Sequence, residues 1–401
     1  MPSPNSFRIT GYSIRVHAGD DAIARLSDEA DRARAKRAFV VCGQTVAHRT
    51  GLLDRVKDAL GDRLAGVFDG AQTGSPVPSV EKGAAMAADA GADLIVAVGG
   101  GSAVVTARAI IILLAEGGTP HDHATKYPPG RPPVSPRLMK PKVPNVLVLT
   151  TPTTAATRAG TAVIDPETGH RLELFDPKTR PSALIWDTSA LLTALPSLCV
   201  SAAASCYSGV VGALQTRERL NPLAEGDLVQ ALRLLQENLP QVDSRPDSGE
   251  VRLNLCTAAF LYNRAGDSGT GGSAVGVVSA IAHSLDTRYP ECNHGAAYSI
   301  LTAPGMRFNR DYNVAGQARL AFIMGVRQHT MKDGAAAIAA ADAVADVFGA
   351  LGLPSRLSQV GVSEEGVRLI AEDAMTDFAM HRNVRPVKEF SELEKLLREI
   401  W

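Results

Sequence analysis

The stretch DLIVAVGGGSAVVTARAI (residues 93–110) runs an apolar segment into three consecutive glycines and then into a helix-forming sequence. Gly99, Gly100 and Gly101 carry no side chains, so backbone N–H groups there can come close to an anion. Ser102 is a good N-cap, and the first turn of a helix carries partial positive charge. These features suit a diphosphate. The pattern is not the G-x-G-x-x-G dinucleotide fingerprint, and a tight strand-to-helix turn uses the same residues. A second segment, TTPTTAATRAGTAV (residues 150–163), sets hydroxyls and small side chains directly after a strand. In an open α/β sheet, ligands bind beyond the carboxyl ends of the strands. Thr150, Thr151, Thr153 and Thr154 are therefore expected to meet the same ligand as the glycine turn. The alternative is a Ser/Thr loop that satisfies its own backbone.

The elements that must position these groups are legible from periodicity. RAFVVCG (residues 37–43), DLIVAVGG (93–100) and NVLVLTT (145–151) read as buried parallel strands. GLLDRVKDALGDR, VEKGAAMAADAGA and SAVVTARAIIILLAEGG carry helical patterns between them. Strands separated by such helices argue for a parallel sheet with crossovers. YPPGRPPVSPRLMKPKVP (127–144) is too rich in proline for helix or sheet and is expected as a surface loop. After ALIWD (183–187) the patterns are helical as far as SELEKLLREIW at the end. The expectation is an α/β, Rossmann-like domain over residues 1–190. An all-α domain over 191–401 would come next and close a substrate cleft.

Bulk properties narrow the class. A chain of 401 residues can form two domains with separate cores. A net charge of −1 offers no pull toward nucleic acid or an anionic membrane. No apolar run of the roughly 18 residues that span a bilayer stands out, and the start lacks a signal-peptide pattern. The five cysteines are scattered without a C-x-x-C pair, as expected for reduced thiols in a cytoplasm.

Together these segments resemble the iron-containing (group III) alcohol dehydrogenase family, of dehydroquinate-synthase-like fold. The resemblance rests on GGGSAVVTAR, PTTAATRAGTAV, SCYSGVVGA and SAIAHSLDTRYPECNHGAAYSILTAPGMRFN, and it extends over nearly the whole chain. It implies a nicotinamide-dependent oxidoreductase with NAD or NADP on the N-terminal domain. It also implies a small-molecule substrate in the cleft against the helical domain, and a homodimer.

The departures from the family pattern bear on the chemistry. The family holds its metal with an aspartate and a histidine on one helix face and two further histidines. The matching positions are Cys206, Val210, Ser279 and His294, so a single ligand is retained. Valine and serine cannot replace imidazole at a divalent site, and no metal is expected there. Val105 and Arg108 stand where the family has aspartate and lysine, and Arg158, Ala159 and Gly160 replace its G-S-E. The family aspartate that ends the first strand and repels a 2′-phosphate corresponds to Gly43. Its loss removes the penalty against NADP without supplying a positive partner, leaving NAD and NADP both open.

Maleylacetate reductases of the same family offer a metal-free precedent, which this chain resembles in its lost ligands and in Val105, though its histidine segment differs. The expectation is an NAD(P)H-dependent, metal-independent reductase of a small carbonyl or 2-oxo compound. His283 matches the family histidine near the nicotinamide and is expected as proton donor, imidazole being a suitable general acid at neutral pH. His294 would hydrogen-bond the substrate oxygen; the alternative for either is a structural histidine. Tyr207 is a second candidate donor or a packed core residue. Cys206 and Ser279 are expected to line the substrate site. Arg158 and Arg288 either clamp a substrate carboxylate or are solvated surface residues. Two alternatives stay open: a metal enzyme with atypical ligands such as Cys206, Cys292, His283 and His294, and an inactive nucleotide-binding regulatory homologue.

Overall fold

The computed structural model describes residues 7, 9–128, 133–217, 220–268, 275–289 and 291–401. Eight strands form: β1 (Arg15–Gly19), β2 (Ala38–Cys42), β3 (Leu64–Phe68), β4 (Leu94–Gly99), β5 (Asn145–Leu149), β6 (Gly160–Ile164), β7 (Arg171–Phe175) and β8 (Ala183–Asp187). Six make one parallel sheet in the order β1-β8-β5-β4-β2-β3, while β6 and β7 pair antiparallel. β2, β4, β5 and β8 are buried at every residue. That is why they read as continuous apolar runs: helices cover both faces of a parallel sheet. On one face Val40, Val96, Val98, Val146, Val148 and Ile185 share a core with Leu26, Leu52, Val56 and Leu60 from two helices.

The three expected strands are β2, β4 and β5. Sequence reading had no signal for β1, β3 and the β6–β7 hairpin. β1 and β3 lie at the two edges of the sheet and are only part-buried. An edge strand needs no continuous apolar run, so its pattern is weak. The flanks of the Pro-rich segment hold neither helix nor strand, as expected, while its residues 129–132 lie outside those described.

The chain divides into two compact units. One holds Tyr12–Cys199 and Arg245–Cys256, the other Met1–Gly11, Val200–Ser244 and Thr257–Trp401. The first contains the sheet; the second, among its described residues, is helical throughout, in accord with the expected fold class. The division falls inside the helix Pro196–Leu214 and not at residue 190, and residues 245–256 return to the sheet unit. A Cβ at Gly249 would collide with the Thr188 side chain, so that glycine lets the two segments pack directly. Helical periodicity cannot say which core a helix joins.

The helix Pro196–Leu214 corrects one expectation. Its 19 residues are long and apolar enough to cross a bilayer by length and composition. Yet 67% of its apolar window is buried inside the protein, as in a core helix.

Asp187 ends β8 and ties the sheet to the short helix Thr188–Leu192. Its carboxylate is fully buried, pairs with Arg55 at 3.0 Å, and accepts N–H bonds from Ile23 (3.1 Å) and Ala190 (3.0 Å). Burial alone would raise its pKa, but Arg55, Ser189 and the two amides outweigh that and hold it below the usual carboxylate range. A folded-state pKa below the unfolded one stabilises above the unfolded value and loses that stability as pH falls through the folded one. Acid titration measured by circular dichroism should therefore show Asp187→Asn losing the wild type's extra stability near neutrality, while below about pH 4 the gap narrows. Asp187→Ala should cost about 1–3 kcal/mol at pH 7 in urea melts, because it leaves the Ile23 and Ala190 N–H groups without their buried acceptor.

Candidate active site

The sheet register groups the residues expected to hold the cofactor. Cys42 lies opposite Val98, and Gly99 opposite Leu149. Gly43, the Gly99–Gly101 turn and Thr150 therefore leave the sheet at one level, at its carboxyl edge. The chain runs from β2 out to β3 on one side and returns to β4 on the other. Ligands of open α/β sheets bind at such a reversal of strand order.

The glycine turn and the threonine segment form one surface. Gly99 has φ of 144°, a conformation that side chains resist. A Cβ on Gly100 would sit 2.8 Å from Thr151 Oγ1, and one on Gly101 would sit 3.1 Å from Thr153 Oγ1. Thr150 N–H donates to Gly99 O at 3.1 Å. Thr150, Thr151 and Thr153 are buried and Thr154 half-buried. The Ser/Thr-loop alternative is realised in part, since Thr153 Oγ1 accepts from Ala155 N–H.

The helix Gly101–Glu116 begins two residues earlier than an N-cap at Ser102 would place it. Its N-cap is Gly100, not Ser102, and no side chain caps it. Its first internal bond runs from Val104 N–H to Gly100 O. Helix geometry leaves the N–H groups of the first turn without internal acceptors, which fits the diphosphate of a dinucleotide. Gly43 is likewise an N-cap, where a Cβ would press on Ala71 O at 3.0 Å.

Arg108 has a role that sequence reading missed. It is buried, and its guanidinium donates to Gly160 O and Ala155 O, each at 2.8 Å, and to Ala156 O. It thereby pins both ends of the 155–160 loop, which exposes Arg158 to solvent. A buried cation in an all-apolar helix face was the available signal.

The helical unit holds the two histidines expected to do acid–base chemistry. His283 lies on the helix Gly276–Arg288, and its Nδ1 is 2.9 Å from Asp377 Oδ2. Its ring stacks on Phe378, and its side chain keeps 17% exposure. His294 starts the helix His294–Asn309, is 61% exposed, and faces Asp286 at 3.3 Å. Arg288 is already forked onto Asp373, with Nη2 at 2.9 Å from Oδ1, and Ser284 Oγ donates to the same carboxylate. That pairing competes with the substrate-clamp role expected for Arg288.

Cys206 and Tyr207 are completely buried, whereas Ser279 is half-buried. Tyr207 packs edge-on against Phe348, its hydroxyl has no partner, and burial pushes its pKa up. A phenol so placed is a core residue with a stranded hydroxyl, the second of the two roles open to Tyr207. Cys292 is buried too, and burial, with a smaller push from Asp286, raises its thiol to about 11.

The four positions matched to family metal ligands carry a thiol, an isopropyl, a hydroxymethyl and an imidazole. Among the described residues no three His, Cys, Asp or Glu side chains gather to hold an ion. This donor set does not fit iron. The pair His121 and His123 binds elsewhere: His121 meets Asp165, and His123 meets Gly117 O.

A glycine turn at the carboxyl edge of a parallel sheet is the arrangement of a nucleotide-binding α/β unit, and here it is joined in sequence to a helical unit. Comparison with known proteins gives the family. The iron-containing alcohol dehydrogenase model matches residues 13–188, and the Fe-containing alcohol dehydrogenase C-terminal model matches 216–401. The chain belongs to the iron-containing alcohol dehydrogenase family and is an alcohol–aldehyde oxidoreductase of that family. It is 27% identical over 372 residues to the NAD-dependent methanol dehydrogenase of Bacillus methanolicus, covering 92% of this chain and 93% of that one. It is 27% identical over 376 residues to the lactaldehyde reductase of Escherichia coli (strain K12), again covering 92% and 93%. Its fold matches a 1,3-propanediol oxidoreductase (TM-score 0.85, 23% identity, 99% and 100% covered). It also matches the maleylacetate reductase of Agrobacterium tumefaciens (TM-score 0.77, 21% identity, 99% and 98% covered).

Gly100→Val should drive a side chain into Thr151 and weaken NADH binding at least about tenfold, or ~1.4 kcal/mol, by fluorescence titration. Tyr207→Phe should leave turnover unchanged and raise stability by up to about 1–3 kcal/mol in denaturant melts, because it removes a stranded hydroxyl.

Proposed function

We propose that this protein is an NAD(P)H-dependent, metal-independent reductase of a small carbonyl or 2-oxo compound, running the alcohol oxidation in reverse. The observation that carries the reading is His283, half-shielded, with one ring nitrogen held by a carboxylate and the other left for substrate. A bound nicotinamide supplies the hydride to the carbonyl carbon. His283 Nε2 gives the proton to the carbonyl oxygen, so the product is the neutral alcohol; in oxidation the same nitrogen takes that proton. The glycine turn and Thr150–Thr154 hold the diphosphate. His294, exposed beside Asp286, donates to the substrate oxygen. Arg158, exposed on the pinned loop, attracts a substrate carboxylate. Side-chain chemistry at residues 206, 210 and 279 supports a reaction without a metal. The maleylacetate reductase among its structural neighbours is in keeping with an acidic substrate. We place the enzyme in the cytoplasm as a homodimer acting on a small molecule, with neither nucleic acid nor membrane as partner.

The test is a cofactor-oxidation screen with NADH and NADPH against aldehydes, ketones and 2-oxo acids, on protein purified with and without chelator. Turnover should survive chelation with no stoichiometric metal, and His283→Ala should lower kcat by about 10²–10⁴-fold. Iron or zinc that tracks activity would overturn the metal-free reading. NADPH binding without any turnover would favour a regulatory homologue.

A further inference from the structure

We infer that Asp377 is the positioning residue of the reaction: it fixes the tautomer of His283, holding a proton on Nδ1 and leaving Nε2 for the exchange with substrate. The inference rests on His283 as proton donor. Asp377 caps the carboxyl end of the helix Glu364–Thr376 in extended conformation, with φ of −69° and ψ of 139°. Its two oxygens have different tasks. Oδ1 accepts from Ala379 N–H at 2.8 Å, and Oδ2 meets His283 Nδ1 at 2.9 Å. An ionised carboxylate only accepts hydrogen bonds, so Nδ1 must carry the proton. In the neutral ring Nε2 is then a lone pair, ready to receive a proton from an alcohol. In the charged ring Nε2 is a donor.

The surrounding packing makes this pairing rigid. The helix that carries His283 packs against the segment that carries Asp377 at a point where no side chain fits. A Cβ on Gly276 would collide with Ala379 O. Next to it, Val277 N–H donates to Asn383 Oδ1 at 3.0 Å, and Asn383 exchanges amide bonds with Asn309. Phe378 stacks on the imidazole with ring centres 5.4 Å apart and fixes the ring plane. Asp377 is the only hydrogen-bond partner of the His283 ring among the described residues. The other ionisable groups on the elements packed here are otherwise placed. Asp373 is held by Arg288 and Ser284, Glu372 by Arg368, His294 by Asp286 and Arg307 by Asp342, while His381 and Arg382 are exposed.

The pinned Oδ1 makes Asp377→Asn a directed test. Ala379 N–H requires an acceptor, so the asparagine oxygen takes the Oδ1 position and its NH₂ faces His283 Nδ1. That amide donates to Nδ1, forces the proton onto Nε2 in the neutral ring, and opposes protonation. The expected result in the reduction direction is a fall in kcat on the order of 10²-fold at pH 7.5, with KM changed less than about threefold. The alkaline limb of the kcat profile should move to lower pH by at least about one unit, since imidazolium becomes harder to form. Asp377→Glu should restore most of that shift. Ring nitrogen NMR of histidine-labelled wild type, with the His283 signal assigned by its loss in His283→Gln, should show the Nδ1–H tautomer above the ring's pKa. An Nε2–H tautomer in wild type, or an unmoved pH limb in Asp377→Asn, overturns the inference. The NMR result does not depend on turnover. Full activity in His283→Ala would instead remove the proton-donor reading and leave the tautomer assignment intact.

Discussion

Parallel pairing of β2, β4 and β5 in one register is the constraint on which the sheet unit of this protein and its candidate ligand edge depend. Pairing Cys42 with Val98 and Gly99 with Leu149 brings Gly43, the glycine turn and Thr150 to the same edge of the sheet. A slip by one residue would turn every buried side chain toward the other face, and the turn would lose Thr151 and Thr153. The glycines let the threonine loop lie closely against the turn: a Cβ on Gly100 would collide with Thr151, and one on Gly101 would crowd Thr153. Arg108 pins the 155–160 loop that follows through its carbonyls.

The helical unit is organised around a different kind of contact. Two carboxylates one helical turn apart, Asp373 and Asp377, face the helix Gly276–Arg288 and engage Arg288 with Ser284, and His283. Close approach of Gly276 to Ala379 sets the spacing between these elements. The result is a carboxylate–imidazole pair held between two packed helical segments. The helix Pro196–Leu214, where the family places an aspartate and a histidine, here holds Cys206 and Val210. Without those polar ligands it becomes apolar enough to resemble a membrane span, yet it serves as a core helix.

Much of this was legible from residue order. Val, Ile and Leu runs in β2, β4 and β5 declare a parallel sheet because burial on both faces demands them. GGGS after one strand and TTPTT after another point to a common ligand edge. Part-buried edge strands β1 and β3, and the return of residues 245–256 to the sheet unit, left no such mark, because their apolar content is low or their helical period is shared by either core. Ser102 looked like an N-cap by type, but backbone geometry gave that place to Gly100. Arg288 had chemistry suited to holding a substrate carboxylate and Tyr207 to donating a proton, and in the structure Arg288 pairs with Asp373 while Tyr207 packs against Phe348.

By itself the sequence determined the family, the fold class, the glycine–threonine cradle and the candidacy of His283, since each rests on local residue types and spacing. Only tertiary structure decided that Asp377, 94 residues away, grips Nδ1 of that histidine. A hydrogen bond between distant segments is set by how helices pack, and no local pattern along the chain encodes it.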